Sequence, residues 1–467
     1  MTVQLFRFEV RRMLRHPMLW GGTALILAVQ VYLSWGEQPD LTVDTVRATG
    51  FAACLAGAVL VVSSLAVSRD GRHRMPESLG GLPGRSRART AAVLAAAVLA
   101  GVLAETVFMG GYLLVRLASG PVGGRLDVFE PLTGLALGAL GGALGASVGR
   151  WARRLIAGPV VMAGLGLLIF LNVTPGPGSW WSPVVQQHWM DWPDRPSGPH
   201  LLYVLALAGL AGALALLRHG LRPVAAVAAV AGLAVAVPAG ATAAAVPPVT
   251  PLHAGRFDLS DVDQRVRERY FGADARRCEQ HDGVRYCAFP EYVPWIPLWA
   301  EAVAPVARAV PPERRGLVPR VEQATSSWII SMDSGVAYAP MAWGRPDQRT
   351  ALAQSVAFDV AGFDSQCDAR GQARMVVALW LWGQGSGIGL PTMLRMDEHL
   401  GVTPGSEWGD TEVRYARLML RTAGIRERIW AHWDTLMRPA TTTEQALPLL
   451  GLSQQYPVSK PKGAPCR

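Results

Sequence analysis

Seven apolar runs, each near the ~20 residues that carry a helix across a bilayer, crowd into the first 247 positions of the chain and then stop. They lie at roughly 18–35, 48–67, 91–115, 129–149, 155–173, 201–217 and 224–247. The sixth is short, and the seventh is rich in Ala and Val and holds Pro238. Any one of these runs could be a buried core helix, but seven within about 250 residues, with almost no internal charge, are more than a water-soluble core holds. Beyond them the sequence alternates polar and apolar residues in the ordinary globular way. A chain of 467 residues with 50% hydrophobic and only 17% charged letters is therefore expected to be an all-α polytopic membrane protein of about seven transmembrane helices, residues 18–247. A mainly α (α+β) domain, residues 248–467, follows, and it is long enough to bury a core of its own.

Arginine placement sets the orientation. If the N-terminus is cytoplasmic, the inner segments hold Arg7, Arg11, Arg12 and Arg15, six arginines between Arg69 and Arg89, then Arg150, Arg153, Arg154, Arg218 and Arg222. The opposite loops hold only Arg47, Arg116, Arg125 and Arg195. Lys and Arg in short loops mark the cytoplasmic side, so the 69–89 loop is expected inside and residues 248–467 outside. The inner arginines are opposed only by Glu9, Asp70 and Glu77, an excess larger than the chain's whole net charge of +9. The pI near 9.7 is thus a topology signal, and no nucleic-acid partner is expected.

Cysteine usage agrees with an oxidising exterior. Cys54 falls within the second run, where a lone thiol reads as inert packing, whereas Cys278, Cys287, Cys367 and Cys466 all lie in the exported part. In CEQHDGVRYC a two-residue Asp282–Gly283 turn pairs His281 with Val284 and, counting outward, Cys278 with Cys287 in the closer, non-hydrogen-bonded kind of pair. Elimination leaves Cys367 with Cys466; free thiols are the alternative.

The exported part shows three-to-four apolar spacing in DLSDVDQRVRERYFG, PDQRTALAQSVAFDVAGF, ARMVVALWLWG and GDTEVRYARLMLRTAGIRERIWAHWDTLM. It holds no H-E-x-x-H, no G-x-S-x-G, no metal-type Cys/His spacing and no glycine-rich phosphate loop; GQGSGIG at 383–389 follows no strand pattern. His281, His399 and His432 are scattered. Neither an enzymatic activity, a metal site nor a cofactor on this chain is expected.

Within the membrane part, Gly134, Gly138 and Gly142, with Gly141, Gly145 and Gly149 beside them, form two rows of small residues four apart on the fourth run. Such rows let helices approach closely, and packing within one subunit is the expectation before a dimer seam. Glu105, midway along the third run, is expected either to pair internally or to line a polar path, because an uncompensated charge at that depth is costly.

Two features of the inner side belong together. In QLFRFEVRRMLRHPMLW, Phe6, Val10 and Met13 share one helical face and Arg7, Arg11 and Arg15 another, so residues 1–17 are expected to form an amphipathic helix along the inner membrane surface, in contact with lipid. In the 69–89 loop, PESLGGLP offers Pro76 as a helix start, Glu77 in the first turn, Leu79 and Leu82 as apolar contacts and Pro83 as a stop.

A basic amphipathic helix running into the first span, a long basic loop with a short helix between spans two and three, and the aromatic, Pro-rich WWSPVVQQHWMDWPDRPSGPH before span six resemble the type-2 ABC exporter permease family over about residues 1–220. The resemblance implies a membrane-spanning permease subunit of an ATP-binding cassette exporter in the cytoplasmic (plasma) membrane of a bacterium, paired with a second permease copy or a paralogue. ATP and Mg would be held by a separate ATP-binding subunit, since this chain has no Walker A sequence. The segment from Met75 to Pro83, with Pro76, Glu77, Leu79 and Leu82, would be the coupling helix docked on that subunit. The seventh span and the external domain depart from the simplest family members. Some relatives carry an external domain resembling zinc aminopeptidases; in LAQSVAF, Gln354, Ser355 and Phe358 would stand for the His, Glu and His, and could hold no zinc. A membrane-anchored extracytoplasmic binding or sensing protein without transport is the competing expectation.

Overall fold

The structure, a computed structural model, describes residues 2–72, 86–152, 154–172, 179–185, 195–245, 264, 268, 269, 272, 274–324, 335–363, 367–385 and 406–466. The chain divides into two units, one of residues 1–35, 39–120 and 124–250, the other of residues 36–38, 121–123 and 251–467.

The first unit is helical: α1 (Thr2–Leu14), α2 (Pro17–Leu33), α3 (Leu41–Arg72), α4 (Ser86–Leu117), α5 (Phe129–Ala152), α6 (Ala157–Leu171), α7 (Ser197–Leu217) and α8 (Pro223–Ala244). Among the described residues, five of these (α3, α4, α5, α7 and α8) are long and apolar enough to cross a membrane, or six if α1 and α2, bent by 47° at their junction, count as one span. The expected fifth span becomes α6, which runs only from Ala157 to Leu171. Its 15 residues measure about 22 Å at 1.5 Å each, short of a ~30 Å hydrocarbon core. By contrast α3 and α4 are 32 residues each and outrun the apolar stretches that announced them. The extra turns of α3 come from local capping: Asp40 Oδ1 accepts from Thr42 N at 3.0 Å, and Asp44 Oδ2 accepts from Asp40 N at 3.0 Å, so the helix starts well before the apolar run does.

The kink between α1 and α2 has a plain cause, since Pro17 opens α2 without an N–H and His16 Nδ1 caps it by accepting from Met18 N at 3.3 Å. On α1, Met13 is buried and Phe6 and Val10 are half-buried against the bundle, while Arg7, Arg11 and Arg15 stay exposed. The two faces read from the sequence are therefore distinct in the structure.

At the middle of the unit is α5, which packs on α3, α4 and α7. Its glycine rows explain how. One row meets α4: a Cβ on Gly142 would come within 2.7 Å of the Ala97 carbonyl oxygen, and one on Gly134 within 2.9 Å of Met109 Cε. The other row meets α3, with Gly141 against the Ala56 carbonyl, Gly145 against the Leu60 carbonyl and Gly149 within 2.7 Å of the Ser64 carbonyl oxygen. Both rows are consumed by packing within this chain, as expected. Gly145→Ala is accordingly predicted to destabilise the purified protein by about 1–3 kcal/mol, because backbone cannot give way as a side chain can. Gly164→Ala in α6, with open space around it, is predicted to be neutral or stabilising through helix propensity. Thermal unfolding of both variants in one detergent checks the pair.

The second unit builds a four-stranded sheet in the order β1 (Arg277–His281), β2 (Val284–Ala288), β3 (Arg320–Gln323) and β4 (Val336–Ala339). The β1–β2 hairpin has the register that its turn residues dictate, His281 with Val284 through Cys278 with Cys287. Asp282 and Gly283 both have positive φ, +50° and +81°, as a type I′ turn requires. Strand β2 continues into α9 (Ile296–Ala309), a crossover that lets β3 pair parallel to β2, and β4 is parallel to β3. Helices α10 (Pro346–Val360), α11 (Ala373–Gly385) and α12 (Asp410–Arg421) pack with α9 around fully buried Trp299, Trp343, Trp380, Trp382, Phe358 and Tyr415.

Two-residue strands β5 (Cys367–Asp368) and β6 (Ser406–Glu407) pair in parallel. Both expected disulfides are formed, Cys278–Cys287 and Cys367–Cys466. The second holds the C-terminal tail beside β5, where Asp368 accepts backbone N–H groups from Lys462 at 2.6 Å and Gly463 at 2.9 Å. Burial works to raise the Asp368 pKa, but these N–H groups, that of Arg370 and the Arg370 guanidinium together hold it below the ordinary carboxylate value.

The helical stretch expected over 409–437 is broken twice, into α12, α13 (Ile425–Ala431) and α14 (Trp433–Leu436), because Gly424 turns left-handed at φ +68° and His432 leaves helical geometry. A last helix, α15 (Thr443–Leu449), is capped by Thr442. Of DLSDVDQRVRERYFG only positions 264, 268, 269 and 272 are described, and His399 and most of GQGSGIG lie outside the described residues.

Candidate functional site in the helical bundle

The expected docking residues Met75, Pro76, Glu77, Leu79, Leu82 and Pro83 lie outside the described residues, between the end of α3 at Arg72 and the start of α4 at Ser86. What surrounds that gap is described. Glu9 of α1, 2% exposed, accepts from Arg69 of α3 at 3.0 Å, with Arg12 3.9 Å from its other oxygen. On the neighbouring helices Thr90 of α4 meets the His219 ring, just past α7, at 2.7 Å. Desolvation and the nearby cations Arg150, Arg218, Arg87 and Arg89 all push the His219 pKa down. The Arg218 guanidinium lies 5.5 Å from the centre of the Trp151 ring. Arginines from three of the segments counted as cytoplasmic thus gather around one imidazole.

Toward the opposite end of the bundle is a polar cluster that periodicity and charge counting missed. Arg116, in the last turn of α4 and 3% exposed, donates from Nε to Asp44 Oδ2 at 2.8 Å and from a terminal nitrogen to the Ser34 carbonyl at 3.1 Å. Asp44 also accepts from Tyr112 Oη at 2.9 Å. Nearby, Arg195 donates to the Thr42 carbonyl at 2.6 Å and lies 3.8 Å from Glu130. Counting arginines by loop assigns Arg116 to an outer loop; the structure puts Arg116, Asp44 and Glu130 inside helices and buries all three. The signal was available, since D-L-T-V-D caps a helix and thereby turns Asp44 inward.

Glu105 is completely buried on α4, its Cγ 2.6 Å from where a Cβ on Gly138 would sit. Neither carboxylate oxygen has a hydrogen-bond partner among the described residues.

Elsewhere in the bundle, α3, α5, α6 and α7 line a half-open cavity of about 940 Å³. Its walls are apolar, with Leu60, Leu140, Leu144, Met162 and Leu207 among them, and Asn172 and Trp181 to Val184 close one end. That end is held in place: Tyr203 Oη donates to the Trp181 carbonyl at 2.8 Å, the His200 ring lies 3.0 Å from the Ser182 carbonyl oxygen, and Gly240 of α8 admits the Trp181 ring so closely that a Cβ there would sit 2.7 Å from it. Cys54, expected to be packed and inert, is an exposed free thiol on the cavity wall.

In the second unit the LAQSVAF positions fall within α10, where Gln354 is buried and Phe358 packs against Phe363, Trp382 and Trp408 at ring-centre distances of 6.0, 6.2 and 5.4 Å. That face of the helix is spent on the core. His281 is 3.2 Å from Glu279 on β1, the exposed strand of the hairpin, and His432 lies between α13 and α14.

No known protein family, curated protein or solved structure matches the chain.

Proposed function

We propose that the chain is the membrane-spanning permease subunit of an ATP-binding cassette exporter, seated in a bacterial cytoplasmic membrane by about seven helices, with its N-terminus inside and residues 248–467 outside. The supporting observation is the basic end of the first unit. Arg87, Arg89, Arg150 and Arg218 gather around His219, and the Glu9–Arg69 pair ties amphipathic α1 to the turn of α3 from which the 73–85 segment leaves. A docking segment needs a stiff mount if closure of an ATPase is to reach the spans, and a helix pinned by a buried carboxylate supplies one. ATP and Mg belong to the separate subunit; a second permease copy or a paralogue completes the pathway; movement of α4 against α5 would disturb Glu105, and movement of α3 against α5 the cavity.

Purification of the tagged chain from its native membranes in mild detergent tests the reading. An ATP-hydrolysing polypeptide is expected to come with it in stoichiometric amount. The chain emerging without an ATPase, while its external domain retains a ligand, would favour an anchored binding protein.

A further inference from the structure

We propose that the cavity between α3, α5, α6 and α7 is a binding site for an uncharged, single-chain amphipathic lipid, its chain among Leu60, Leu144 and Met162 and its hydroxylated head toward Asn172 and Ser182. Three features of the cavity lead there. Its volume, about 940 Å³, is at the upper end of the ~300–1,000 Å³ of small-molecule sites. Its wall runs along α3 from Gly50 to Leu60, about 15 Å at the helical rise, which suits an extended chain. Among the described lining residues polarity is confined to one end, at Asn172, Trp181 and Ser182, and the others are apolar but for Cys54.

Charge then decides the head group. Among the described residues no Asp, Glu, Lys, Arg or His lines the cavity, so an ionic head would be desolvated without a countercharge from them, a cost that an alcohol or ester head escapes by hydrogen bonding. The polar end is also built in advance, anchored by Tyr203 and His200 from α7, so the ligand does not have to order it. Where Met162 approaches Gly57, a Cβ would already stand 3.1 Å from Met162 Cγ, so a large side chain at Gly57 must push into the space the lipid chain would take. That such a lipid is the exported cargo rests on the exporter reading; that it binds here does not.

Cys54 is the reporter, being the one cysteine of five outside the two disulfides and lying on the cavity wall. The full chain in phosphatidylcholine nanodiscs is treated with a lipophilic maleimide, and Cys54 alkylation is timed with monoolein, with the same chain bearing a sulfate, and with the same chain bearing trimethylammonium. Monoolein is expected to slow alkylation about tenfold once it exceeds its dissociation constant roughly tenfold, and the two charged analogues far less. In Gly57→Phe, alkylation should be insensitive to monoolein; Leu144→Trp, which fills the wall from α5, gives the same answer should the first variant fold poorly. Equal slowing by all three amphipaths, no slowing by monoolein, or undiminished slowing in a well-folded filled variant would overturn the proposal. The assay contains no ATPase, so a negative result leaves the exporter reading standing, and a failed ATPase co-purification leaves a positive binding result standing.

Discussion

Arg116→Met is expected to destabilise the protein by about 3–5 kcal/mol, the usual penalty for leaving one member of a buried ion pair alone. The side chain of Asp44 is 1% exposed and that of Arg116 4%. Removing the guanidinium takes away the 2.8 Å bond to Asp44 and leaves the Ser34 carbonyl without its 3.1 Å donor. Tyr112 and the Asp40 N–H still donate to Asp44, but dipoles do not replace a countercharge. Asp44→Leu should be damaging for the mirror-image reason. The double change Arg116→Met with Asp44→Leu is expected to recover most of the loss, since replacing both charges with apolar groups of similar size is often neutral. The cycle is measured by unfolding the four proteins in one detergent. Single changes within about 0.5 kcal/mol of the parent, as ordinary surface substitutions are, would show the cluster to be wet and dispensable.

That cluster also marks the limit of reading the sequence. Hydropathy found the long helices because each must be apolar all round, and the glycine rows of α5 announced close packing because nothing but a missing Cβ permits it. The D-G turn gave the register of β1 with β2 and hence the first disulfide; elimination gave the second. Arg116 was misplaced because a charge at the edge of an apolar run reads as its boundary, while here the helix continues to Leu117 and the charge is matched from α3, 72 residues earlier. Strands β3 to β6, of two to four residues, are too short for a period-two signal to rise above chance. Helix α9 was hidden by Pro297 and Pro305, which break the helical pattern on paper; in the structure the first lies in its opening turn and the second is tolerated within it. The cavity had no sequence signature at all, since its walls come from four helices and are made of residues that any span contains.

The second large effect is expected at the docking segment proposed for Met75 to Pro83, where Leu79→Asp with Leu82→Asp should abolish retention of the ATP-binding subunit. Each leucine buried at such an interface contributes about 1.5–3 kcal/mol, and the substitution adds two carboxylates that must be desolvated to dock. The flanking arginines, which set orientation, are untouched, so the variant should insert and purify like the parent. Arginines at the rim of a docking site act mostly on encounter and register, so neutralising one of them should weaken association far less than losing both leucines. The direct measurement is the ratio of ATPase to tagged chain after purification from the same membranes, parent against double variant. The account predicts a stoichiometric ATPase with the parent and none with the variant, at equal recovery of the chain; an ATPase retained equally by both would contradict it.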